Sequence, residues 1–374
     1  MIKQHAFAFV TAVAFAVCQL PVAAAEGAPD VLEERQPAVI AYNDAVSMAT
    51  KNLPGLISLD EAIRALRDQL KELTDERDAR INSFNPIMRP YVESAIRSAF
   101  AGPIRLLNRH INEMIYSQDM IKTAAEMQLR GSIVAVENML IDIEIAEAAV
   151  SQEIAALDAA RIRYERGAGA ESDYRSAELA LSQRRTNLTL LHISLSNERM
   201  NLNRLLEKPM TELYAVEYDA KQAELPPDID AYVRAVITEQ PNVKQKDSEV
   251  ARLKTDLDNA ADAATSERDE KKRALSRAER ERDELGKNLE LAIRKQVNSM
   301  QILLYSIESL EIDLQRANDR RETLRLNLEA GLVSQHDMDL AQLAVMNAEA
   351  GIAKSLNNYW VMQFALEHPF LLAQ

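Results

Sequence analysis

The chain has 374 residues, of which 47% are apolar and 27% are charged, so it can bury a sizeable core and form two or three domains. The formal net charge of -14 argues against a nucleic-acid partner, because nucleic-acid-binding proteins present basic surfaces. The 9 glycines and 5% aromatic residues argue against a sheet-rich fold, whereas the bias towards Ala, Leu, Glu and Arg favours helix.

The segment 1–25 is typical of a secretory signal peptide. Lys3 precedes an apolar run from Ala6 to Val17, and three alanines at 23–25 form a small-residue cleavage site. Cys18 is the only cysteine and lies inside this leader, so the exported chain is expected to have no disulfide and no thiol nucleophile. Residues 26–38 are predicted to be a flexible N-terminus. No later stretch has the roughly 18 consecutive apolar residues of a transmembrane helix.

Residues 39–212 are predicted to form a first helical-hairpin repeat. It opens with a short amphipathic helix that stops at Pro54, and a longer helix follows from Leu56 to Ile81. Between Tyr91 and Tyr116 the sequence predicts two short helices broken at Gly102-Pro103, because proline lacks a backbone N–H.

The rest of this repeat is predicted to be a long helix to Arg166 and a return helix from about Asp173. Aliphatic residues recur along both at steps of three and four, which is the period of a coiled-coil seam. The two helices are therefore expected to pack on each other.

A linker at 213–228, in which a short strand can form from Tyr214, separates the first repeat from a second at 229–369, and 370–374 is a C-terminal tail. Val243 to Leu328 contains no proline and, if unbroken, is expected to form one helix of about 130 Å. Within it, residues 265–284 include fourteen charged side chains, seven of each sign, which predicts a helix that is polar on every face and held by i to i+4 ion pairs.

Two stretches, one in each half of the chain, resemble each other at a fixed offset, which indicates a duplicated unit. Gly167 aligns with Gly331, and Asp173 aligns with Asp337. Each glycine is predicted to close one helix, and Ser334 with Asp337 forms a capping box that starts the next. The predicted fold class is all-α, with two tandem similar halves of long antiparallel coiled-coil hairpins.

One order of features occurs twice in the chain: a short helix, a proline stop, a long helix, a glycine turn and an aspartate near the start of the return helix. This order resembles that of the TolC-type outer-membrane efflux family (outer membrane factors). The better match is Leu328-Glu329-Ala330-Gly331-Leu332-Val333-Ser334, followed by Asp337 and Ala341-Gln342-Leu343. The resemblance covers roughly 39–369. The chain departs from the family where membrane β-strands are expected, so these strands are predicted to be reduced or absent.

The resemblance implies a homo-oligomer, a trimer with a helical tunnel, that works with a periplasmic adaptor and an inner-membrane transporter. Its adaptor-contact tip would be formed by the two glycine turns, with the residues Gly167, Ala168, Gly331, Leu332, Val333 and Ser334. Asp173 and Asp337 would line the pore. An aspartate at a helix start also serves as a structural cap, so both interpretations stay open.

Nothing in the sequence indicates catalysis. The 5 histidines are scattered without metal-site spacing, and there is no phosphate loop or nucleophile motif. We therefore expect no enzyme activity, no cofactor and no metal.

Two functions follow as hypotheses. The first is a TolC-like conduit component that couples to an inner-membrane pump through an adaptor. The alternative is a periplasmic or secreted coiled-coil structural or interaction protein that derives from that family and has lost its barrel. The chain is expected in the outer membrane or periplasm, or secreted if the barrel is absent, and membrane insertion is doubtful.

Overall fold

The computed structural model describes residues 38–51, 53–220, 224–260 and 265–372. The predicted signal peptide and residues 26–37 of the predicted flexible N-terminus lie outside the described residues. The helices described are α1 (Tyr42–Lys51), α2 (Pro54–Asn82), α3 (Arg89–Glu165), α4 (Glu171–Leu205), α5 (Ile229–Glu239), α6 (Pro241–Asp258), α7 (Thr265–Glu329) and α8 (Gln335–Glu367). Two short strands, β1 (Ala38–Ala41) and β2 (Tyr214–Glu217), and a 3-10 helix (Pro369–Leu372) complete the described elements. The predicted all-α class is confirmed.

The same order of elements occurs in both halves of the chain. In the first half α2 and α4 both pack on the long helix α3, and in the second half α6 and α8 both pack on α7. The halves meet where α3 packs against α8. The helices therefore form a layer in the order α4, α3, α8, α7, with α4 and α7 at its edges.

The two strands form a parallel pair that joins the start of the described chain to the linker between the halves. Ala38 pairs with Tyr214, and Ala41 pairs with Glu217. Ala38, expected in the flexible N-terminus, is thus already part of a strand. Ile40 and Val216 are buried and extend the core of the first half.

The cores lie where the predicted seams are. In the first half, buried aliphatic residues of α3 (Leu129, Ile133, Val136, Ile143) pack with Leu195 and Leu202 of α4. In the second half, Ile293, Val297 and Met300 of α7 pack with Tyr359 and Leu366 of α8 and with Val233 of α5. The periodicity of three and four residues therefore marked the buried faces correctly.

The expected break at Gly102-Pro103 is wrong, because α3 runs through Pro103 without interruption. A proline inside a helix removes one hydrogen bond, here the bond to the carbonyl of Ala99. Ala99, Gly102 and Pro103 all lie on the exposed side of α3, so water can solvate the carbonyl that is left free.

The single long helix expected from Val243 to Leu328 is also wrong. The chain turns back after Asp258, and α6 packs on α7. Because α6 ends at Asp258, α7 begins at Thr265 and the two helices pack along each other, they run antiparallel. Lys246 pairs with Glu281 at 2.7 Å and Arg282 pairs with Asp247 at 3.2 Å across this contact. The charged segment is thus held partly by ion pairs to a neighbouring helix.

Among the described residues, no helix combines the length and the apolar character needed to cross a lipid bilayer.

Candidate interaction site at the two glycine turns

The first glycine turn links α3 to α4 and closes α3 with a Schellman motif. The N–H of Gly167 donates to the carbonyl of Tyr164 at 2.9 Å, and the N–H of Ala168 donates to the carbonyl of Arg163 at 2.8 Å. Gly167 has φ of +69°, a left-handed conformation that costs least for glycine.

The second glycine turn links α7 to α8 and repeats this geometry. The N–H of Gly331 donates to the carbonyl of Leu328 at 3.0 Å, and that of Leu332 donates to the carbonyl of Asn327 at 2.8 Å. Gly331 has φ of +72°. Both glycines act as the helix caps that the sequence predicted.

Helix α8 begins with the predicted capping box. The hydroxyl oxygen of Ser334 accepts from the N–H of Asp337 at 3.3 Å, and a carboxylate oxygen of Asp337 accepts from the N–H of Ser334 at 3.0 Å and from its hydroxyl at 2.6 Å. The hydrogen bonds from the hydroxyl and then the N–H of Ser334 hold the pKa of Asp337 below its ordinary value. The Asp337 carboxylate is therefore engaged by its own helix end.

Helix α4 begins differently, because its N-cap is Ala170, which has no side-chain acceptor. Asp173 lies exposed in the first turn of α4. Tyr164 lies in the last turn of α3 and Tyr174 lies in the first turn of α4. Their rings stack across the glycine turn, with centroids 6.0 Å apart and an angle of 13° between the ring planes. Sequence reasoning missed this pair; its only signal was two tyrosines placed on either side of Gly167.

The two turns present different surfaces. Leu332 is 74% exposed and Val333 is half-buried, whereas the first turn presents Gly167 and the small side chain of Ala168. The second turn is therefore the one with a large apolar side chain open to a partner.

The packing of the halves places both turns at the same end of the helix layer. An ion pair joins Asp142 of α3 to Lys354 of α8, and the amide of Asn357 donates to Asn138 at 2.9 Å. Residue numbers rise along one helix as they fall along the other, so α3 and α8 are antiparallel. Because α3 ends at the first turn and α8 starts at the second, the six predicted tip residues share one end. Contact of these residues with an adaptor, and the pore-facing role of Asp173 and Asp337, stay predictions.

The part of the chain that the structure describes holds no cluster of three or more His, Cys, Asp or Glu side chains that could bind a metal ion. An open groove of about 410 Å³ runs between α3 and α4, lined in part by Leu157, Leu181 and Thr189.

The comparisons with known proteins bear on the fold. No family model matches the chain, and no curated protein matches it. Among solved structures, it resembles the outer membrane protein VceC of Vibrio cholerae, with 12% identity and a TM-score of 0.55 over 89% of this chain and 96% of that chain. It also resembles the outer-membrane channel OprN, with 11% identity and a TM-score of 0.59 over 89% of each chain.

The CmeC outer membrane channel of Campylobacter jejuni is similar as well, with 11% identity and a TM-score of 0.58 over 89% of this chain and 86% of that chain. The likeness extends over 86–96% of each of these chains. The chain therefore has the fold of the TolC-type outer-membrane channels.

Proposed function

We propose that the chain is a component of a TolC-like efflux conduit, in which copies stand side by side to form a helical tunnel. The observation that carries the proposal is that both edge helices of the layer leave apolar side chains exposed. On α4 these are Leu179, Leu190, Ile193 and Met200, and on α7 they include Leu291, Ile302, Tyr305 and Ile312. Leu326 is also exposed on α7, nearer the glycine turn and outside these two sets. We call these sets the α4 stripe and the α7 stripe.

The two stripes have the same spacing. Successive members are separated by steps of eleven, three and seven on both helices. A step of seven returns to the same face of a coiled-coil helix, and steps of three and eleven stay beside it. Each stripe is therefore one continuous face, which favours a helical partner over scattered solvent exposure.

The two stripes also overlap in their distance from the shared end of the layer. Ile193 lies as far after Gly167 in the sequence as Tyr305 lies before Gly331. At the helical rise of about 1.5 Å per residue, both lie about 39 Å from their turns. Since α4 runs away from this end and α7 runs towards it, α4 of one copy can pack antiparallel on α7 of the next and bury both stripes.

Such a contact joins two different surfaces, and repeating it closes a ring when the rotation between neighbouring copies divides a full turn. Full burial of one large aliphatic side chain contributes about 1.5–3 kcal/mol, and several such side chains meet at each contact. The resemblance to TolC-type proteins favours three copies. The glycine-turn end, with Leu332 exposed, is the end that would engage a periplasmic adaptor of an inner-membrane pump.

The oligomeric state of charge variants tests ring closure. Ile193→Glu alone and Tyr305→Lys alone should each shift the oligomer towards monomer in sedimentation velocity, because each places an unpaired charge in the contact. The double variant should recover oligomer, because the two charges then lie opposite each other. Leu213→Glu is the matched control, since Leu213 is 59% exposed but lies in the linker. A wild-type chain that stays monomeric at all concentrations would contradict the proposal.

The adaptor role needs its own test. A photo-crosslinking residue in place of Leu332, introduced in the native host, should give a cross-link to an envelope protein with a helical hairpin. The same residue in place of Leu213 should not give this product. If both positions give the same products, the turn has no specific partner.

A second candidate is a periplasmic or secreted coiled-coil interaction protein. It is favoured by the charged segment 265–284 at the start of α7. Negative-stain images of the purified oligomer distinguish the two. Particles with a central lumen support the conduit, whereas rods or paired bundles support the interaction protein.

A further inference from the structure

The turn between α2 and α3 exposes an unusual concentration of large apolar side chains. Within eight residues, Phe84 is 39% exposed, Ile87 75%, Met88 50% and Tyr91 79%. We call these four residues the apolar turn. The corresponding segment between α6 and α7, Asn259 to Ala264, has only Asn, Asp and Ala in the sequence. From this turn, together with the charges around it, we infer that this end of the chain binds the surface of a phospholipid bilayer with anionic headgroups.

The apolar turn is well ordered internally. The Arg89 guanidinium donates to the carbonyls of Asn82 at 3.0 Å and Phe84 at 3.1 Å, and the N–H of Ile87 donates to the side chain of Asn85 at 3.0 Å. The N–H groups of Met88 and Arg89 both donate to the carbonyl of Asn85.

Pro86 and Pro90 have no N–H to satisfy. Several backbone groups of the turn are thus hydrogen-bonded within it, and the apolar side chains are exposed. A segment that enters the poorly hydrated edge of a bilayer needs this property, since unpaired backbone groups cost free energy there.

The charge around the turn is opposite to that of the rest of the chain. Between Asp78 and Glu113 there are five arginines and one acidic residue, Glu93, which gives a net charge of 5 - 1 = +4 with histidine neutral. The whole chain has -14, so the remainder has -14 - 4 = -18. An anionic membrane surface therefore attracts this end and repels the rest, and arginine side chains can extend along an interface towards phosphate groups.

The position of the turn suits contact with a surface. It lies at the start of α3, and the first glycine turn lies at the other end of that helix, about 115 Å away for 77 residues at 1.5 Å each. A second copy of this chain is a poorer occupant, because it would bring two basic ends together and cover only a small apolar area. A bilayer surface accepts a small apolar wedge beside basic side chains.

Vesicle co-sedimentation of the full purified chain tests the inference. The wild-type chain should bind phosphatidylcholine vesicles that contain phosphatidylglycerol about tenfold or more tightly than vesicles of phosphatidylcholine alone, and added salt should weaken this binding. Ile87→Ser combined with Tyr91→Ser should lower binding about tenfold or more, since it removes the two most exposed apolar side chains of the turn. Leu332→Ser is the matched control, because Leu332 is 74% exposed at the opposite end and should leave binding unchanged.

A second measurement reports whether the apolar turn enters the bilayer. Trp360, the only tryptophan, is 7% exposed, so its emission should change little when vesicles are added. A blue shift of Tyr91→Trp on mixing with anionic vesicles, beyond the shift of the wild-type chain, then comes from the turn. Equal binding by wild type and the double serine variant would overturn the inference. So would self-association without lipid that the double variant abolishes, since the turn would then be a contact between copies. Neither result depends on the α4 and α7 stripes, so ring closure can fail or succeed independently.

Discussion

The guanidinium carbon of Arg130 on α3 lies 4.3 Å from the centroid of the Trp360 ring on α8, so a cation and an aromatic ring tie the two halves of the chain together. The same guanidinium lies 4.2 Å from the centroid of the Phe364 ring and 5.0 Å from that of Tyr42. Its Nε donates to the Tyr42 hydroxyl at 2.7 Å, and that hydroxyl donates to Glu126 at 2.7 Å. Burial, followed by the hydrogen bond to Glu126, raises the pKa of Tyr42, so the phenol stays protonated.

We expect Arg130→Met to lower the free energy of unfolding by about 3–5 kcal/mol, measured by urea denaturation. The variant loses a cation–π contact in a desolvated site, worth about 2 kcal/mol, and leaves partners of a charged hydrogen bond unpaired at a further cost of about 1–3 kcal/mol. Arg130→Lys should lose less, since it keeps the charge but not the planar group.

The control for this prediction is Arg316→Met. The Arg316 side chain is 76% exposed and pairs only with Asp313 three residues away, so the change should stay within about 0.5 kcal/mol. If both variants lose the same stability, the aromatic cluster around Arg130 contributes nothing specific.

The missing cap at the start of α4 can be supplied. Ala170 has φ and ψ of -82° and 148°, close to the -89° and 160° of Ser334, so a serine fits there without strain. Ala170→Ser should stabilise the start of α4 by about 0.5–1 kcal/mol, and Ser334→Ala should destabilise the start of α8 by at least as much. Hydrogen exchange at the amides of Asp173 and Asp337 measures the two effects, and faster exchange at Asp173 in Ala170→Ser would count against this account.

Replacing either of two glycines by alanine should change the free energy of unfolding, in opposite directions at the two positions. Gly331→Ala should cost about 1 kcal/mol, because its φ of +72° is unfavourable for any residue with a Cβ. Gly131→Ala should gain about 0.5–1 kcal/mol, since Gly131 lies within α3, is not followed by a proline, and a Cβ there meets no side chain within 4 Å. Thermal unfolding of the two variants against wild type gives the signs, and a stabilising Gly331→Ala would show that the turn does not need the left-handed residue.

His368 gives the chain a dependence on mildly acidic pH. Its ring lies 4.4 Å from that of Phe364, and burial lowers its pKa below the ordinary value, although Glu367 and Glu126 oppose this effect. The unfolded chain therefore binds a proton before the folded chain does, and the stability that His368 provides above its ordinary pKa of about 6.5 is lost as the pH falls. Unfolding free energies between about pH 7 and pH 5 should decline, and His368→Gln should make this decline smaller. An unchanged slope in the variant would assign it to other groups.

Much of the fold follows from local patterns. Gly167 and Gly331 could be predicted as helix caps because a left-handed residue after an apolar-periodic helix is a local requirement, and Ser334 with Asp337 satisfies helix ends within four residues. The buried positions of α3 and α7 follow from a period that any long helix packed along its length must have.

The parts that could not be predicted depend on surroundings that the sequence does not display. Helix α3 continues through Pro103 because the freed carbonyl of Ala99 faces solvent, which local propensity cannot show. The sequence between Asp258 and Thr265 contains no proline or glycine to mark the reversal. The reversal is favoured by ion pairs to α7 that exist only once the chain has folded back. At the candidate site, the Tyr164 and Tyr174 stack depends on how α3 and α4 meet.

The parallel pairing of β1 with β2 sets an order of events during synthesis of the chain. Val39 pairs with Ala215, so the first described strand has no partner until the whole of α1 to α4 and the start of the linker have emerged. Ordering such a long loop carries a large entropic cost, and contacts so distant in sequence form late in folding. The helical hairpin of α3 and α4 can assemble first from neighbouring segments, and the strand pair then fastens the start of the chain to it as a final step.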